Sequence, residues 1–468
     1  MHGRENGRRV EFRTYELRQS VCHTRLPFRF GAVTMTQAPL LMARVELQVE
    51  GSADPAVGMS GDLLVPRWFD KSADKSVDDN QRDLIAAARA AGEAARSAPP
   101  GTVRQLVDHV TAHILAPSAP LAPERLLHNF GIALVERAAI DAVTRALGIS
   151  FFTALERDVL GLGERVVRSL PDRPLAHVEV RHTVGMADPL RASDMDGTHR
   201  RDDGLPQCLE DDVRTYGLRL FKIKVGGDRA VDLDRLLAVH RVLADTASAD
   251  WQCSLDANEQ YVDLDALAGL FDDLGASAEG RDLLARLLHL EQPLPRQKTF
   301  DPGCAPALRR LAQKVPLLID EADVDATAFT AARPLGYTGV SVKNCKGVIR
   351  ALDNHATCTE LRAQGVAAFQ SAEDLTNLPV LPLQQDLATI QALGLTHAER
   401  NGHHYFAGLD HLPPHEAAAA VAAHSDLYGP RRGGFALRIR HGRLAIGSLT
   451  CPGYGYACAV DFAARSPA

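Results

Sequence analysis

The sequence lacks the patterns that mark several large classes of protein. Its eight cysteines show no C-x-x-C spacing, which argues against zinc ribbons and disulfide scaffolds and favours reduced thiols in a cytoplasmic protein. No apolar run approaches the roughly 18 residues of a membrane-spanning helix, and the charged N-terminus has no apolar segment of the kind found in secretory signals. A net charge of −7 argues against general affinity for nucleic acid or anionic membranes.

The composition that remains is that of an ordinary soluble globular protein, with 46% hydrophobic and 24% charged residues. A length of 468 residues is enough for two domains, or for one large barrel with an added domain. Strand-like stretches such as "LMARVELQVEG" are followed by three helical patterns, which predicts an α+β domain over residues 27–170. Residues 1–26 are interpreted as an N-terminal extension, and residues 171–468 as a second domain.

In the second domain, short apolar runs alternate with helix-like segments. The spacing between successive runs is about 30 residues, which is the length of one βα unit. Eight such units predict a closed (β/α)8-type barrel of parallel strands, and the C-terminal ends of the strands form the catalytic face of such barrels. The first run lies near 177–186, and the next seven end at or just before Lys224, Asp256, Glu291, Asp320, Lys343, Glu373 and Glu399.

The stretch "LFKIKVGG" at 220–227 is unusual because it places two lysines on one face of an otherwise apolar strand. Burying a lone charge is expensive unless a partner or a shifted pKa relieves it. We therefore expect Lys222 and Lys224 to point into a polar barrel mouth, close to carboxylates on the following strands. No glycine-rich loop here has Walker or Rossmann spacing, so "VGG" does not indicate a phosphate site.

Three carboxylates end successive strands, and this pattern predicts a metal site. Converging carboxylates repel one another unless a cation lies between them, and oxygen ligands of this kind suit Mg²⁺. Asp256 and Glu291 supply two of them, while the third is either Asp320 or its neighbour Glu321, since only one of the pair can point inward. Asn258 follows Asp256 by two residues and is a candidate substrate contact.

Lysines flank this set of acids on both sides, with Lys222 and Lys224 on the strand before it and Lys343 on the strand after it. A metal between two opposed amines suits abstraction of a proton α to a carboxylate, because the metal stabilises the enediolate charge and a lysine can act as the base. Lys343 follows the apolar "GVSV" and is predicted to point inward, whereas Lys346 is interpreted as a surface lysine.

The ordered series "KIKVGG", "SLDAN", "LEQPL", "LIDEA" and "SVKNCKG" resembles the enolase superfamily, in its muconate lactonizing enzyme-like and mandelate racemase-related branch. The resemblance implies a modified (β/α)7β barrel preceded by an α+β capping domain. It further implies one Mg²⁺ per active site with Asp256, Glu291 and Asp320 as ligands. Lys224 and Lys343 would form the acid/base pair on opposite faces of the substrate, with Lys222 assisting.

The candidate substrate contacts lie on the barrel strand ends and the cap loops. We expect a small-molecule carboxylate that contacts Asn258, Glu399 and the cap-loop aromatics Phe30 and Trp68. The adjacent His403 and His404 are interpreted as loop residues. An insertion-like run at 187–213 has no assigned role.

Two opposed lysines favour a racemase or epimerase. The alternatives are a cycloisomerase or dehydratase on the same scaffold, a Schiff-base aldolase that uses a lysine as nucleophile, and a barrel without catalytic activity. We further expect a homo-oligomer that binds neither nucleic acid nor membrane.

Overall fold

The computed structural model describes residues 7–30, 33–195 and 200–468. Its first unit is an antiparallel sheet in which the first three strands of the chain are neighbours in sequence order. Val45, Leu47 and Val49 are fully buried at alternate positions of the second strand, so one face of the sheet packs onto a core. The three strands are β1 Val10–Phe30, β2 Val33–Val49 and β3 Ala56–Leu63.

Three helices pack on this side: the first and third contact the sheet, and the second packs against those two helices. The first two begin at capping boxes, formed by Ser76 with Asp79 and by Thr102 with Gln105, which satisfy backbone N–H groups at the helix starts. The third is buried on nearly all sides, as expected of a helix that lies between the sheet and the second domain. The helices are α1 Val77–Arg96, α2 Val103–Leu115 and α3 Arg125–Ala146.

The boundary predicted at residue 26 falls inside β1. Residues from Val10 to His23 pair with β2, and β1 continues to Phe30, so residues 10–26 belong to the sheet although the sequence places them in an extension. The end of the chain returns to the same sheet, because a short strand at Ser466–Pro467 pairs with β1 beside Arg18 and Gln19. The structure therefore joins both ends of the described chain to the N-terminal sheet.

The second unit is a closed barrel of eight parallel strands, as the spacing of the apolar runs predicts. The strands follow one another around the barrel in sequence order, and pairing of the last strand with the first closes it. They are β4 His177–Val184, β5 Leu220–Lys224, β6 Gln252–Asp256, β7 Leu287–Glu291, β8 Leu317–Ile319, β9 Tyr337–Val342, β10 Phe369–Ala372 and β11 His397–Arg400.

A helix follows each of the first seven barrel strands, whereas the eighth is followed directly by a helix of four residues and later by one at Pro414–Ala423. This is the modified (β/α)7β arrangement. Two helices link the domains, α4 Phe151–Glu156 and α5 Glu164–Ser169. The helices of the second unit are α6 Leu209–Tyr216, α7 Arg229–Thr246, α8 Leu264–Ala276, α9 Ala278–Ala285, α10 Ala305–Ala312, α11 Ala328–Ala332, α12 Val348–Ala363, α13 Leu381–Leu393, α14 Gly402–Tyr405 and α15 Pro414–Ala423.

The C-terminal segment adds strands outside the barrel. One of them lies antiparallel to β4 and extends the sheet by one strand. None of the helices in the described part of the chain combines the length and apolar character that a membrane span requires. The additional strands are β12 Tyr428–Arg431, β13 Gly434–Leu437, β14 Arg443–Ala445 and β15 Ser466–Pro467.

Candidate active site

The ends of neighbouring barrel strands bring the predicted acids and lysines together. Lys224, Asp256 and Glu291 are the last residues of β5, β6 and β7, and the sheet register aligns them side by side. Asp320 and Lys343 directly follow β8 and β9. Parallel strands end at one edge of the barrel, so all five side chains lie at its C-terminal face.

Lys222 lies at the centre of this face, where it contacts four carboxylates. Its fully buried Nζ is 3.0 Å from Asp256, 2.7 Å from Glu291, 2.8 Å from Glu373 and 2.9 Å from Glu399. Burial opposes its charge, but the surrounding carboxylates more than compensate and hold the pKa of Lys222 well above its usual value. Lys222 is therefore a buried ammonium ion, which explains why an otherwise apolar strand carries it.

The other two lysines each contact a different acid. Lys224 donates a hydrogen bond to Asp256, and Lys343 donates to Asp320 at 2.5 Å. The ring of Trp68, from the N-terminal domain, lies 4.4 Å from Nζ of Lys343 and adds a cation–π contact. Burial lowers the pKa of Lys343, but the Asp320 carboxylate outweighs burial and raises it above the ordinary value.

The predicted metal ligands Asp256, Glu291 and Asp320 are fully buried and offer only oxygen donors, which is the donor set that Mg²⁺ prefers. Burial and the nearby carboxylates raise the pKa of Glu291 well above its usual value, and its Oε2, although 2.7 Å from Nζ of Lys222, has no hydrogen bond of good geometry among the described residues. These carboxylates therefore fit a divalent cation.

Ammonium groups bridge these same acids. The three predicted ligands are not among the groups of described residues whose ligand atoms all lie within 4.8 Å of one another. Lys222 lies between Asp256 and Glu291, and Lys343 contacts Asp320.

Asp320 and Glu321 point in different directions, although both are fully buried. Asp320 accepts hydrogen bonds from Lys343 and Ser341, whereas Glu321 accepts one from the amide of Asn258 at 3.2 Å. The interpretation of Lys346 as a surface lysine is wrong. A short turn after β9 folds Lys346 back onto the strand ends, where its Nζ donates to Ser341 at 2.6 Å and the side chain is 2% exposed.

A small pocket above the strand ends contains every residue predicted to contact the substrate. The cap contributes Phe30 and Trp68, the barrel loops contribute Asn258, and Glu399 comes from β11. Both Lys224 and Lys343 line the same pocket, together with Phe28, Val65, Asp374, Leu375, Thr376 and Asn401. Sequence reasoning did not single out Asp374 or Asn401. Asp374 follows Glu373 after the seventh strand, and Asn401 directly follows the eighth strand.

A hydrogen-bond network holds the cap loop that carries Trp68 against the barrel. Buried Arg296 donates to the backbone oxygens of Trp68 at 2.7 Å and Phe69 at 2.9 Å, and it forms an ion pair with Glu259. Lys71 from the cap donates to the backbone oxygen of Asn258 at 2.7 Å. Sequence reasoning missed this network because its charges lie on loops, where exposed charges are common.

Arg181 was also missed, although its signal was visible. It is a basic residue inside a predicted barrel strand, as Lys222 is in β5, and it is fully buried, although β4 also carries other polar side chains. Its guanidinium donates to Glu373 at 2.5 Å, so Glu373 is held between Arg181 and Lys222. A wider rule, which considers every basic residue inside a predicted barrel strand, would have found this arginine.

The two histidines that were interpreted as loop residues are buried in the short helix α14. His404 is 2% exposed and His403 is 7% exposed, because α14 packs against β4 and α6. Within the insertion-like run at 187–213, positions 196–199 lie outside the described residues. The described part contacts the cap, since Arg25 forms an ion pair with Asp203 at 2.6 Å.

Comparison with known proteins shows which proteins this chain resembles in sequence and in fold. No protein-family model matches the chain. A hydrophobic dipeptide epimerase from Citrifermentans bemidjiense is 29% identical over 169 residues, a segment that is 36% of this chain and 36% of that protein. The match thus spans about a third of the length of this relative.

Solved structures match over almost the whole chain. The muconate lactonizing enzyme from Pseudomonas fluorescens, complexed with muconolactone, has a TM-score of 0.60 at 15% identity and covers 97% of this chain and 98% of its own. A dipeptide epimerase from Cytophaga hutchinsonii, complexed with Mg and D-Ala-L-Val, has a TM-score of 0.59 at 13% identity and covers 97% of both chains.

Structures that match the chain include a dipeptide epimerase, a mandelate racemase/muconate lactonizing protein and a 2-chloromuconate cycloisomerase, which are enzymes. The resemblance predicted from the strand-end motifs is confirmed, and the chain has the fold of the enolase superfamily, in the form shared by muconate lactonizing enzymes, mandelate racemases and dipeptide epimerases.

Proposed function

We propose that the chain is a magnesium-dependent racemase or epimerase that removes the proton α to a substrate carboxylate and returns a proton to the same carbon. One observation carries this proposal. Lys224 and Lys343 come from the ends of β5 and β9, which are four positions apart in a ring of eight strands, yet both line one pocket. Two lysines on opposite sides of a pocket can reach opposite faces of a bound carbon.

The reaction needs one lysine as a neutral amine and the other as an ammonium ion. When the α C–H bond breaks, its proton passes to the amine of Lys224 and its electron pair enters an enediolate. The ammonium of Lys343 then delivers its proton to the opposite face, and the configuration is inverted. In the reverse direction the two lysines exchange roles.

The buried acids would set up this chemistry. Bound Mg²⁺, held by Asp256, Glu291 and Asp320, would supply positive charge that stabilises the enediolate. Asp256 and Asp320 also fix the positions of Lys224 and Lys343 through the hydrogen bonds described above. Lys222 keeps its proton among four carboxylates and would act by charge alone, without transferring a proton.

We propose a dipeptide with a hydrophobic side chain as the substrate class. The relative that matches in sequence is named a hydrophobic dipeptide epimerase, and two structural relatives are dipeptide epimerases complexed with Mg and a dipeptide. The aromatic rings of Phe28, Phe30 and Trp68 give the pocket an apolar wall, which suits such a side chain.

A deuterium-exchange experiment tests both lysines. The protein, Mg²⁺ and a panel of dipeptides, N-acyl amino acids, sugar acids and lactones are mixed in deuterated water, and α-proton exchange is followed by NMR. With a responding substrate, Lys224→Ala should stop exchange from one enantiomer and Lys343→Ala from the other, with losses of several orders of magnitude. Lys222→Ala should slow both.

Lys314→Ala is the matched control, because Lys314 is half exposed and pairs with Asp272 far from the strand ends. It should exchange both enantiomers at the wild-type rate. If Lys343→Ala also behaves like wild type with both enantiomers, the two-lysine mechanism is wrong.

A cycloisomerase is the second candidate, since muconate lactonizing enzyme and 2-chloromuconate cycloisomerase share the fold. That reaction needs one proton-transferring lysine, so one of the two alanine variants would keep full activity. A Schiff-base aldolase is tested separately. Borohydride added with a carbonyl substrate should leave the mass of the protein unchanged, and an adduct on Lys224 or Lys343 would favour the aldolase.

A further inference from the structure

A buried group of three histidines and one aspartate lies outside the barrel mouth. We call it the His–Asp cluster: His182 on β4, Asp212 on α6, and His403 and His404 on α14. Arg181 and Thr183, the neighbours of His182, contact the strand-end acids Glu373 and Glu399. Because successive side chains of a strand point to opposite faces, His182 points away from the candidate active site.

The ligand-type atoms of this cluster converge. Oδ2 of Asp212 lies 2.8 Å from Nδ1 of His404 and 3.8 Å from Nε2 of His182, and all three atoms lie within 4.8 Å of one another. Zinc–nitrogen bonds of about 2.0–2.1 Å in a tetrahedral site would place neighbouring ligand atoms roughly 3.3 Å apart. The observed separations bracket that value, so small side-chain movements would complete such a site.

Asp212 lacks a well-formed hydrogen-bond partner among the described residues. It is 0% exposed, yet neither of its carboxylate oxygens has a hydrogen-bond partner of good geometry among the described residues, and the same holds for Nδ1 of His404. A buried carboxylate without hydrogen bonds is costly. The short contact between Asp212 and His404 with poor hydrogen-bond geometry is what two ligands of one ion would show.

The protonation states suit a metal ion. Burial lowers the pKa of His182 to about 4, so its imidazole is neutral at pH 7, the form that binds metals. Burial raises the pKa of Asp212, but the neighbouring histidines outweigh this and lower it overall, so Asp212 is an anion. Burial lowers the pKa of His404, but the Asp212 carboxylate outweighs burial and raises it above its ordinary value.

A second contact resembles the hydrogen bonds that hold ligating histidines in place around metal ions. Nδ1 of His182 lies 3.0 Å from Nε2 of His403, so the far nitrogen of the ring is held by a hydrogen bond while Nε2 faces Asp212. In metal sites, such a bond fixes the tautomer and orientation of the ligating ring.

We propose that His182, Asp212 and His404 bind a divalent transition-metal ion, of which Zn²⁺ suits the mixed nitrogen and oxygen donors. The ion would connect the first barrel strand, α6 and the helix after the last strand, at the seam where β4 and β11 close the barrel. The cap meets the same point, because Arg25 donates to the backbone oxygen of His404 at 2.7 Å. The ion would thus hold these elements together, at a site separate from the strand-end acids.

Cobalt provides a direct test, because four-coordinate Co²⁺ absorbs visible light much more strongly than octahedral Co²⁺. The full-length protein is stripped with a chelator and kept in excess Mg²⁺, which occupies oxygen-rich sites. Titration with Co²⁺ should give strong visible bands that saturate at one ion per chain, and Zn²⁺ should abolish them by displacement. A wild-type protein that gives no such bands overturns the proposal, whatever the variants do.

Variants locate the site. Asp212→Asn and His404→Gln should weaken Co²⁺ binding at least 100-fold, and His403→Gln should weaken it by roughly 10–100-fold. His424→Gln is the matched control, because His424 is also a buried histidine but bonds Ser448 elsewhere, and Asp256→Asn controls for the strand-end acids. Both controls should keep the bands. If Asp212→Asn and His404→Gln bind like wild type, the proposal is wrong and the cluster is only a buried His–Asp ion pair.

Discussion

Replacing Lys222 by methionine should destabilise the protein more than any other single lysine change at the strand ends. Methionine has a similar volume but no charge, so the change leaves the cavity filled and removes the ammonium from Asp256, Glu291, Glu373 and Glu399. Removing one partner of a buried ion pair costs about 3–5 kcal/mol, because the other charge stays buried without compensation. With four acids affected, we expect a loss of at least about 4 kcal/mol.

Lys224→Met is the matched control, since the two lysines lie on the same face of β5. Lys224 contacts a single acid, Asp256, which also keeps its contact with Lys222. Its loss should cost only the value of one charged hydrogen bond, about 1.5–3 kcal/mol. The difference between the two variants therefore measures the contribution of the additional carboxylates and not of lysine in general.

Urea unfolding followed by circular dichroism measures both variants against wild type, in a chelator and then in Mg²⁺. Since the chain contains two structural units, midpoints and slopes should be compared before free energies are extracted. Salt should change the difference little, because buried pairs are weakly screened. If Lys222→Met unfolds within about 1 kcal/mol of Lys224→Met, the four ion pairs do not hold the strand ends together.

Three further predictions concern other parts of the molecule. Mg²⁺ should stabilise the wild type by about 2.7 kcal/mol at 100 times its Kd. Asp256→Asn should abolish that rise in a thermal shift, and an unchanged melting temperature in the wild type would count against the metal site. Burial raises the pKa of Glu136 to about 7, so stability should fall as pH rises from about 4.5 to 7, by about 3 kcal/mol in total. Glu136→Gln should lack that fall when melting temperatures are compared from pH 5 to 8, and parallel curves would contradict the assignment. Arg296→Gln should cost about 3 kcal/mol and raise KM more than it lowers kcat, because it releases the Trp68 loop and leaves Glu259 without its main partner. The added change Glu259→Gln should restore part of the stability but not KM, and a normal KM in Arg296→Gln would refute the link to the loop.

The barrel and its strand ends could be predicted because their signals are local. A buried strand of a parallel sheet is a short apolar run, and a charged residue at its end stands out against that background, as at Asp256 and Glu291. The spacing of these residues then gives the order of strands around the barrel. The candidate substrate contacts Phe30 and Trp68 came from the resemblance, since their cap loops show no periodic pattern.

The remaining features depend on contacts that no local pattern records. Lys346 was misassigned because nothing in its surroundings in sequence shows that a turn folds it onto Ser341 and Asp320. His403 and His404 were taken for loop residues because a four-residue helix has too few positions to display a period. The start of β1 was missed because its residues from 10 to 26 mix charged and apolar side chains, as expected of a strand with one face toward solvent.

Charge balance connects the fold to the proposed chemistry. The buried side chains that meet at the strand ends comprise five cations, Arg181, Lys222, Lys224, Lys343 and Lys346, and six anions, Asp256, Glu291, Asp320, Asp323, Glu373 and Glu399. Such a buried group has one negative charge in excess, and an uncompensated buried charge is expensive. While all the lysines are protonated, a divalent cation would reverse the excess to one positive charge, and a substrate with one carboxylate would then neutralise it. The side chains are thus matched to a metal and a carboxylate bound together. A site built for a neutral carbonyl substrate and a Schiff base would gain nothing from this surplus of acids, and the charge count therefore favours proton abstraction over the aldolase.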